Sequence, residues 1–155
     1  MLQEQEYVGL LIGAARRSIK QAVQRAARPL QLTPPQFWFL NAARELPGAS
    51  LGDVARRQHM DPPTASRIAE GLAARGLLKV EADPRDRRVM RVALTPAGVR
   101  LAQRIAPIAS GVRAAVVQGM SAREQEMLRA ALRKVVRNLD EFAADDGPAA
   151  AGGDV

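Results

Sequence analysis

The sequence predicts a mainly α-helical fold with six helices and one small β-hairpin. The first observation is composition, because 47% of the 155 residues are hydrophobic but only 3% are aromatic. Aliphatic residues and alanine, which favour helices, must therefore form the core. The second observation is a series of helix-capping signals, and the third is a pair of short apolar stretches around a charged turn. A chain of this length is expected to form one domain with a sizeable core.

The first two helices are bounded by proline steps. Helix one covers about residues 5–28, where apolar residues recur at helical spacing and form one stripe. The step Arg28-Pro29 ends it, because the residue before proline avoids the helical conformation. Helix two covers 34–45, where Thr33 is the expected N-cap and proline occupies the first turn.

Helices three and four, at about 51–58 and 62–75, are separated by a short turn. Ser50 with Asp53 resembles a capping box, and Asp61 before Pro62 is a second cap. Two short helices joined in this way are a candidate helix-turn-helix.

Two strands, at about 77–82 and 89–94, surround the segment D-P-R-D-R-R at 83–88. Met90, Val92 and Leu94 alternate with more polar positions, which is the period of a β-strand. A helix-turn-helix followed directly by a two-stranded hairpin with a basic tip predicts a winged helix.

The last two helices are long. Helix five runs from Thr95 to about 118, and Pro107 is expected to kink it. Helix six covers 122–143 after a capping box at Ser121, and its apolar residues have helical spacing. Residues 144–155 are small and polar and predict a disordered tail.

Charge and residue usage favour binding over catalysis. Lys and Arg number 23 against 16 Asp and Glu, a formal charge of +7, which favours a polyanionic partner, although arginine-rich chains can be basic without such a partner. The chain has no Cys and a single His, His59. This composition argues against a disulfide, a zinc–thiolate site or a Cys/Ser–His nucleophile. We therefore predict no enzyme activity, no metal site and no cofactor.

An apolar stretch at 7–15 lacks the flanking residues of a signal peptide and is too short to cross a bilayer. We expect a cytoplasmic protein with no membrane partner.

Helix four carries the candidate base contacts. Its inward set, Ala65, Ile68, Ala69 and Leu72, leaves the small and polar residues outward. Small and hydrogen-bonding side chains near a helix N-terminus fit the major groove, and an arginine there can bind guanine bidentately. A helical hairpin with a solvated face is the alternative. The outward candidates are Pro63, Thr64, Ser66 and Arg67.

The charged hairpin tip strengthens the prediction that the protein binds DNA. An arginine at such a tip can enter a narrow minor groove, where negative potential is concentrated. Asp83 and Asp86 can brace an arginine and the turn through charge-assisted hydrogen bonds. One arginine at the apex then remains free to insert.

Residues 76–98, G-L-L-K-V-E-A-D-P-R-D-R-R-V-M-R-V-A-L-T-P-A-G, resemble the wing signature of the multiple-antibiotic-resistance regulator (MarR) family. Residues 50–75 resemble its helix-turn-helix, and the helix order matches over about 5–143. The resemblance implies a homodimeric transcription regulator, usually a repressor, that binds a pseudo-palindromic operator in double-stranded DNA.

The resemblance also assigns roles to the wing and to helix four. It implies that Arg85 enters the minor groove, that Asp83 or Asp86 braces the wing with Arg88, and that Arg87 contacts a phosphate. The family's recognition-helix contacts fall on Pro63, Thr64, Ser66 and Arg67.

In the family, the first and last helices of two chains interleave to form the dimer. Residues 1–32 and 100–143 are then the dimerisation helices, around a winged helix-turn-helix lobe at 33–99. The apolar stripes of the terminal helices fit this independently, because each is wider than one small protomer needs. An ordinary intramolecular core is the alternative.

Members of the family often respond to small aromatic acids bound between the dimer helices and the winged lobe. Such an acid needs a cation, which Arg16, Arg17 and Lys20 can supply in a placement that resembles the family's salicylate-type sites. Trp38 or Phe39 can supply a stacking plane, and His59 a hydrogen bond.

Each of these candidates for the effector site has an ordinary alternative. Arg16 and Arg17 can simply form a solvated basic face, and Trp38 can be an ordinary core residue. His59 can be a structural residue of the turn or a contact to the DNA backbone. The alternative function is a non-specific architectural DNA-binding or protein-interaction module without ligand response.

Overall fold

The helices and the hairpin follow one another in the predicted order. A computed structural model describes residues 6–145, so the predicted tail lies outside them from residue 146 onward. The mainly α-helical fold with one small hairpin is confirmed, with element ends within a few residues of those predicted. The elements are α1 (Val8–Ala27), a 3-10 turn (Arg28–Leu30), α2 (Pro34–Glu45), α3 (Leu51–Arg57), α4 (Pro62–Ala74), β1 (Leu78–Ala82), β2 (Met90–Leu94), α5 (Pro96–Val116) and α6 (Ala122–Ala144).

Side-chain caps fix where α2, α3, α4 and α6 begin, and the Thr95 hydroxyl caps α5 in the same way. Each capping oxygen accepts a hydrogen bond from the backbone N–H three residues later, at 2.9–3.4 Å. These bonds satisfy donors that a helix start otherwise leaves unpaired. The caps of α2, α3, α4 and α6 were predicted from the sequence: Thr33, Ser50, Asp61 and Ser121.

Helix α2 is the centre of the core of residues 6–116. Phe37, Phe39 and Leu40 are fully buried, and Leu72 of α4 and Ile105 of α5 are buried with them. Burial of one such side chain stabilises a fold by about 1.5–3 kcal/mol. This core therefore fixes α4 and α5 on the same scaffold helix. Helix α5 continues through Pro107 as one helix.

The hairpin is joined to the helices on both sides. β1 and β2 pair antiparallel with Leu78 opposite Leu94 and Ala82 opposite Met90. The backbone N–H of Val92 donates to the Ala49 carbonyl at 3.0 Å, so the chain that precedes α3 runs along β2. The wing is thus attached directly to the helix-turn-helix.

The T-P-A-G end of the wing signature fixes α5 against the hairpin. The Thr95 hydroxyl donates to the Gly76 carbonyl at 2.6 Å and accepts from the Gly98 N–H at 3.1 Å. A Cβ on Gly98 would lie 1.8 Å from the Leu77 carbonyl oxygen, so only glycine permits this backbone approach. The motif is therefore a packing device for the base of the wing.

Much of the apolar surface of the terminal helices is exposed. In α1, Val8 and Leu10 are 60% and 66% exposed, and only Val23 and Ala27 are buried. Among the described residues, 117–145 form a separate compact unit, and α6 contributes no buried residue. Within residues 6–145, no helix is long and apolar enough to cross a membrane.

Candidate nucleic-acid interface

The start of α4 is organised by Asp61. Its carboxylate accepts hydrogen bonds from the backbone N–H of Thr64 at 2.9 Å and from the Thr64 hydroxyl at 2.7 Å. These two bonds lower the pKa of Asp61 below its ordinary value. The Arg67 guanidinium lies 3.5 Å from the Thr64 hydroxyl oxygen, so it extends along the helix towards its N-terminus.

The four predicted contact residues of α4 lie together, outside the buried set Ala65, Ala69 and Leu72. Pro63 and Arg67 are exposed, whereas Thr64 and Ser66 are half-buried. The α4 surface is thus cationic and hydrogen-bonding, as the sequence predicts. Their contacts with DNA stay a prediction.

A charged loop of seven residues, 83–89, forms the tip of the wing. The Asp83 carboxylate accepts from the backbone N–H groups of Arg85 and Asp86, at 2.7 and 3.3 Å. The Asp83 N–H donates to the Val89 carbonyl at 2.7 Å, which closes the loop. Asp83 therefore shapes the wing tip through its backbone as well as through its charge.

The arginine that pairs with Asp83 is Arg91, which was not predicted. Its Nε lies 2.7 Å from Asp83 Oδ2, and its Nη1 donates to the Gly48 carbonyl at 3.3 Å. These bonds connect the wing tip to the turn before α3. Arg91 is also the first cause of the lowered pKa of Asp83.

Two arginines therefore share the bracing role that was predicted for Arg88 alone. Arg88 pairs with Asp86 at 3.4 Å, but its side chain is 93% exposed, and the pairing with Asp83 falls to Arg91. The alternation of Met90, Val92 and Leu94 assigns Arg91 only to the more polar face of the strand. The strand register explains the contact. Ala82 pairs with Met90, so Asp83 comes opposite residue 89 and diagonally across from residue 91, which is within reach of a long side chain.

Two arginines of the wing tip keep their guanidinium groups unpaired. Among the described residues, the side chains of Arg85 and Arg87 form neither a hydrogen bond nor an ion pair, and both residues are exposed. Arg88 and Arg91 thus brace the wing tip, whereas the side chains of Arg85 and Arg87 have no part in the brace. The closed loop therefore presents the Arg85 guanidinium with no partner among the described residues, so that it can bind a polyanion.

Replacing Asp83 with asparagine is expected to weaken operator binding less than replacing it with alanine. Asparagine keeps the oxygen that accepts the Arg85 and Asp86 N–H groups but loses the charge that holds Arg91, whereas alanine loses both. Fluorescence anisotropy with an operator duplex measures the order, and Glu81→Gln, which removes one charge from an exposed position of β1, is the matched control. Equal binding by all three variants and the wild type would show that the brace has no role in DNA binding.

The candidate effector residues are on separate elements. Arg16, Arg17 and Lys20 are exposed on α1, and His59 is exposed in the turn between α3 and α4 with a φ of 50°. Phe39 is fully buried, so the expectation that it offers a stacking plane is wrong. Among the described residues, the four polar candidates form no hydrogen bond with one another, and their role stays a prediction.

Trp38 is half-buried and already has two partners. Its ring packs edge-on to Phe37, with 5.2 Å between ring centroids. The Arg113 guanidinium of α5 lies 5.5 Å from the Trp38 ring centroid, which is cation–π geometry. A ligand that stacks on this ring must therefore share it with Arg113.

A polar cluster around Glu45 was also missed. Arg113 donates to its two carboxylate oxygens at 2.6 and 3.3 Å, and the Asn41 amide donates at 3.0 Å. Arg57 of α3 lies 3.5 Å away, and Asn41 is fully buried. Hydrogen bonding by Arg113 is the first cause of the lowered pKa of Glu45. One carboxylate thus connects α2, α3 and α5.

Glu45→Gln is expected to lower the free energy of unfolding by about 1–3 kcal/mol, because it weakens charged hydrogen bonds at a largely covered site. The pKa of Glu45 in the folded protein is below its ordinary 4.5. Its contribution is therefore complete above that value and is lost as the pH falls through the lowered pKa. Urea unfolding from pH 7 to pH 3 measures this slope. A variant with the wild-type slope and stability would contradict the role of Glu45.

Comparison with known proteins decides the family. A family model described as MarR family matches residues 30–89. The HTH-type transcriptional repressor NicR of Pseudomonas putida is 32% identical over 138 residues, which are 89% of this chain and 87% of that protein. The chain belongs to the MarR family. The resemblance of the wing signature is thereby confirmed.

Solved structures share the fold of this MarR-family chain. One is a structure of Bordetella bronchiseptica BpsR, whose DNA binding is described as regulated by 6-hydroxynicotinic acid. It is 34% identical, with a TM-score of 0.70, and the match covers 84% of this chain and 99% of that chain. A mutant of MarR from E. coli complexed with operator DNA is 21% identical, with a TM-score of 0.69, and the match covers 83% of this chain and 92% of that chain. At that identity the second structure supports the fold alone.

Proposed function

We propose that this MarR-family chain is a sequence-specific DNA-binding repressor of neighbouring genes. The observation that carries the proposal is the wing tip, where Asp83 and Arg91 fix the loop while Arg85 stays unpaired. Such a loop can enter a minor groove while α4 occupies the adjacent major groove. The base and phosphate contacts in this proposal are Pro63, Thr64, Ser66, Arg67, Arg85 and Arg87.

The proposed DNA-binding form is a homodimer on a pseudo-palindromic operator. Support comes from apolar side chains that one protomer leaves uncovered, among them Leu10 in α1 and Leu139 and Phe142 in α6, each at least 58% exposed. A stable monomer rarely exposes such large apolar surfaces. In this proposal, residues 1–32 and 100–143 dimerise, and residues 33–99 form the winged lobe.

The proposed effector is a small aromatic carboxylate that releases the operator. The 34% identity with BpsR, whose DNA binding is described as regulated by 6-hydroxynicotinic acid, supports hydroxylated pyridine carboxylates as first candidates. Arg16, Arg17, Lys20, Trp38 and His59 are the residues proposed to hold it. A ligand that fits only one arrangement of the dimer shifts the population away from the DNA-binding form.

Two measurements test these functions separately. Affinity for a palindrome upstream of the chain's own gene is compared with affinity for random duplex at matched salt, and equal values would favour an architectural module without operator specificity. A thermal-shift series with nicotinate and 6-hydroxynicotinate tests the effector. A ligand that binds the folded state raises the Tm, and an unchanged Tm for the whole series would contradict this effector class.

A further inference from the structure

A cleft of about 600 Å³ lies between the C-terminal half of α1 and the start of α2. Six of its eight lining residues are polar or cationic, and none of these belongs to the contacts proposed above. They are Gln21, Gln24, Arg25, Arg28, Gln31 and Thr33. We call this feature the α1–α2 cleft.

Gln31 connects the α1–α2 cleft to the end of α4. Its φ of 55° and ψ of 38° lie in the left-handed region, which costs free energy for any residue other than glycine. Its carbonyl accepts a hydrogen bond from Arg75 Nη1 at 2.7 Å, and Arg75 is the C-cap of α4. The cleft therefore lies directly at the C-terminal end of that helix.

The tip side of the wing lies at the other end of α4. Pro62 and Ala65, at the start of α4, line a second cleft together with Arg88, Val89 and Met90 of the wing. A helix of 13 residues is about 20 Å long, whereas the major groove is about 12 Å wide. Because the N-terminal residues of a recognition helix contact the bases, a helix longer than the groove is wide extends at its C-terminal end towards the phosphate backbone that borders the groove.

The positive charge of the α1–α2 cleft is not neutralised locally. No Asp or Glu occurs between Glu6 and Glu45 in the sequence. Within the described part of the chain, Arg25, Arg28 and Arg75 form no ion pair, whereas Arg57, Arg91 and Arg113 do. The guanidinium groups of Arg25 and Arg28 therefore remain available to an external anion at the cleft, while Arg75 beside it is held by the Gln31 carbonyl.

We propose that the α1–α2 cleft binds the phosphodiester backbone of the operator at the end of α4 remote from the wing tip. Arg25 and Arg28 donate to phosphate oxygens, and Arg75 holds the cleft at a fixed distance from α4. The proposal rests on the proposed DNA-binding function. It adds a phosphate contact outside the winged lobe, so that the protein grips the backbone at both ends of α4.

The test is the double variant Arg25→Gln with Arg28→Gln, because glutamine keeps helix propensity and removes only the charge. Affinity for operator is expected to fall on the order of tenfold at 0.15 M salt, and affinity for random duplex by the same factor, since phosphate contacts carry no sequence information. The slope of log affinity against log salt is expected to become less steep by about 1.8 per protomer. Hydroxyl-radical footprinting is expected to lose protection of backbone positions flanking the half-site.

The matched control is Arg56→Gln with Lys79→Gln, which removes the same charge from exposed positions of α3 and β1 outside the cleft. An equal loss of affinity in the control would show a general charge effect and overturn the proposal. A wild-type affinity, slope and footprint in the cleft variant would also overturn it while leaving the proposed function intact. Failure of the wild type to bind any operator would contradict the proposed function itself.

Free phosphate is distinguished by a separate arm of the experiment. Inorganic phosphate is titrated against the wild type and the cleft variant while the Tm is measured. A phosphate-dependent rise in the wild type alone, together with unchanged DNA affinity and footprint, would mean that the cleft binds a small anion and would overturn the DNA proposal.

Discussion

Arg85→Ala is expected to lower operator affinity on the order of 100-fold, which corresponds to about 1.4 kcal/mol from each of two protomers. The reason is that Arg85 is presented by a closed loop but its side chain has no partner among the described residues. The backbone N–H that binds Asp83 survives in the alanine variant. The Tm and the oligomeric state are therefore expected to match the wild type.

Two further variants separate charge from shape at this position. Arg85→Lys keeps the charge but replaces the planar guanidinium with a more strongly hydrated ammonium, so it is expected to restore only part of the affinity. Arg87→Ala removes a neighbouring unpaired arginine and is expected to reduce random-duplex and operator binding equally. Anisotropy titrations at matched salt measure all three.

The DNA sequence under the wing provides a second test of Arg85. A narrow A·T-rich minor groove attracts arginine, whereas G·C pairs widen the groove and add an amino group. The effect of Arg85→Ala is therefore expected to shrink when G·C pairs replace A·T pairs beneath the wing. An Arg85→Ala variant that binds both operators as the wild type does would exclude a minor-groove role.

Helix boundaries were predictable because their causes are local. Thr33, Ser50, Asp61 and Ser121 each act on a backbone group three residues away, so the sequence alone contains the interaction. The wing followed from its period-two pattern and from its charged tip. Local chemistry of this kind does not depend on how distant segments pack.

The contacts that were missed connect distant parts of the chain. Arg91 donates to Gly48, which is 43 residues away, and Arg113 donates to Glu45, which is 68 residues away. Composition and periodicity assign both arginines only to polar faces. The partner of such a side chain is decided by tertiary packing, so the brace of the wing and the Glu45 cluster emerge only in the structure.

Leu132→Glu in α6 is expected to raise the dimer dissociation constant by about 10²–10⁴-fold. Leu132 is 40% exposed and lies on one helical face with Leu128 and Leu139. Dimerisation is expected to cover the exposed part of two leucines. Losing this burial and desolvating the new carboxylate are together expected to cost about 1.5–3 kcal/mol at each of the two positions. Sedimentation velocity over a concentration series measures the dissociation constant.

The same variant is expected to lose operator affinity together with dimerisation. Two linked lobes bind two half-sites with a gain of about 10²–10⁴ over one lobe, and a monomer forfeits that gain. Ala130→Glu is the matched control, because it places the same carboxylate on an exposed position two residues away, on the opposite face of α6. It is expected to behave as the wild type in both measurements. A dimeric Leu132→Glu, or a control that dissociates equally, would show that this face of α6 is not the interface.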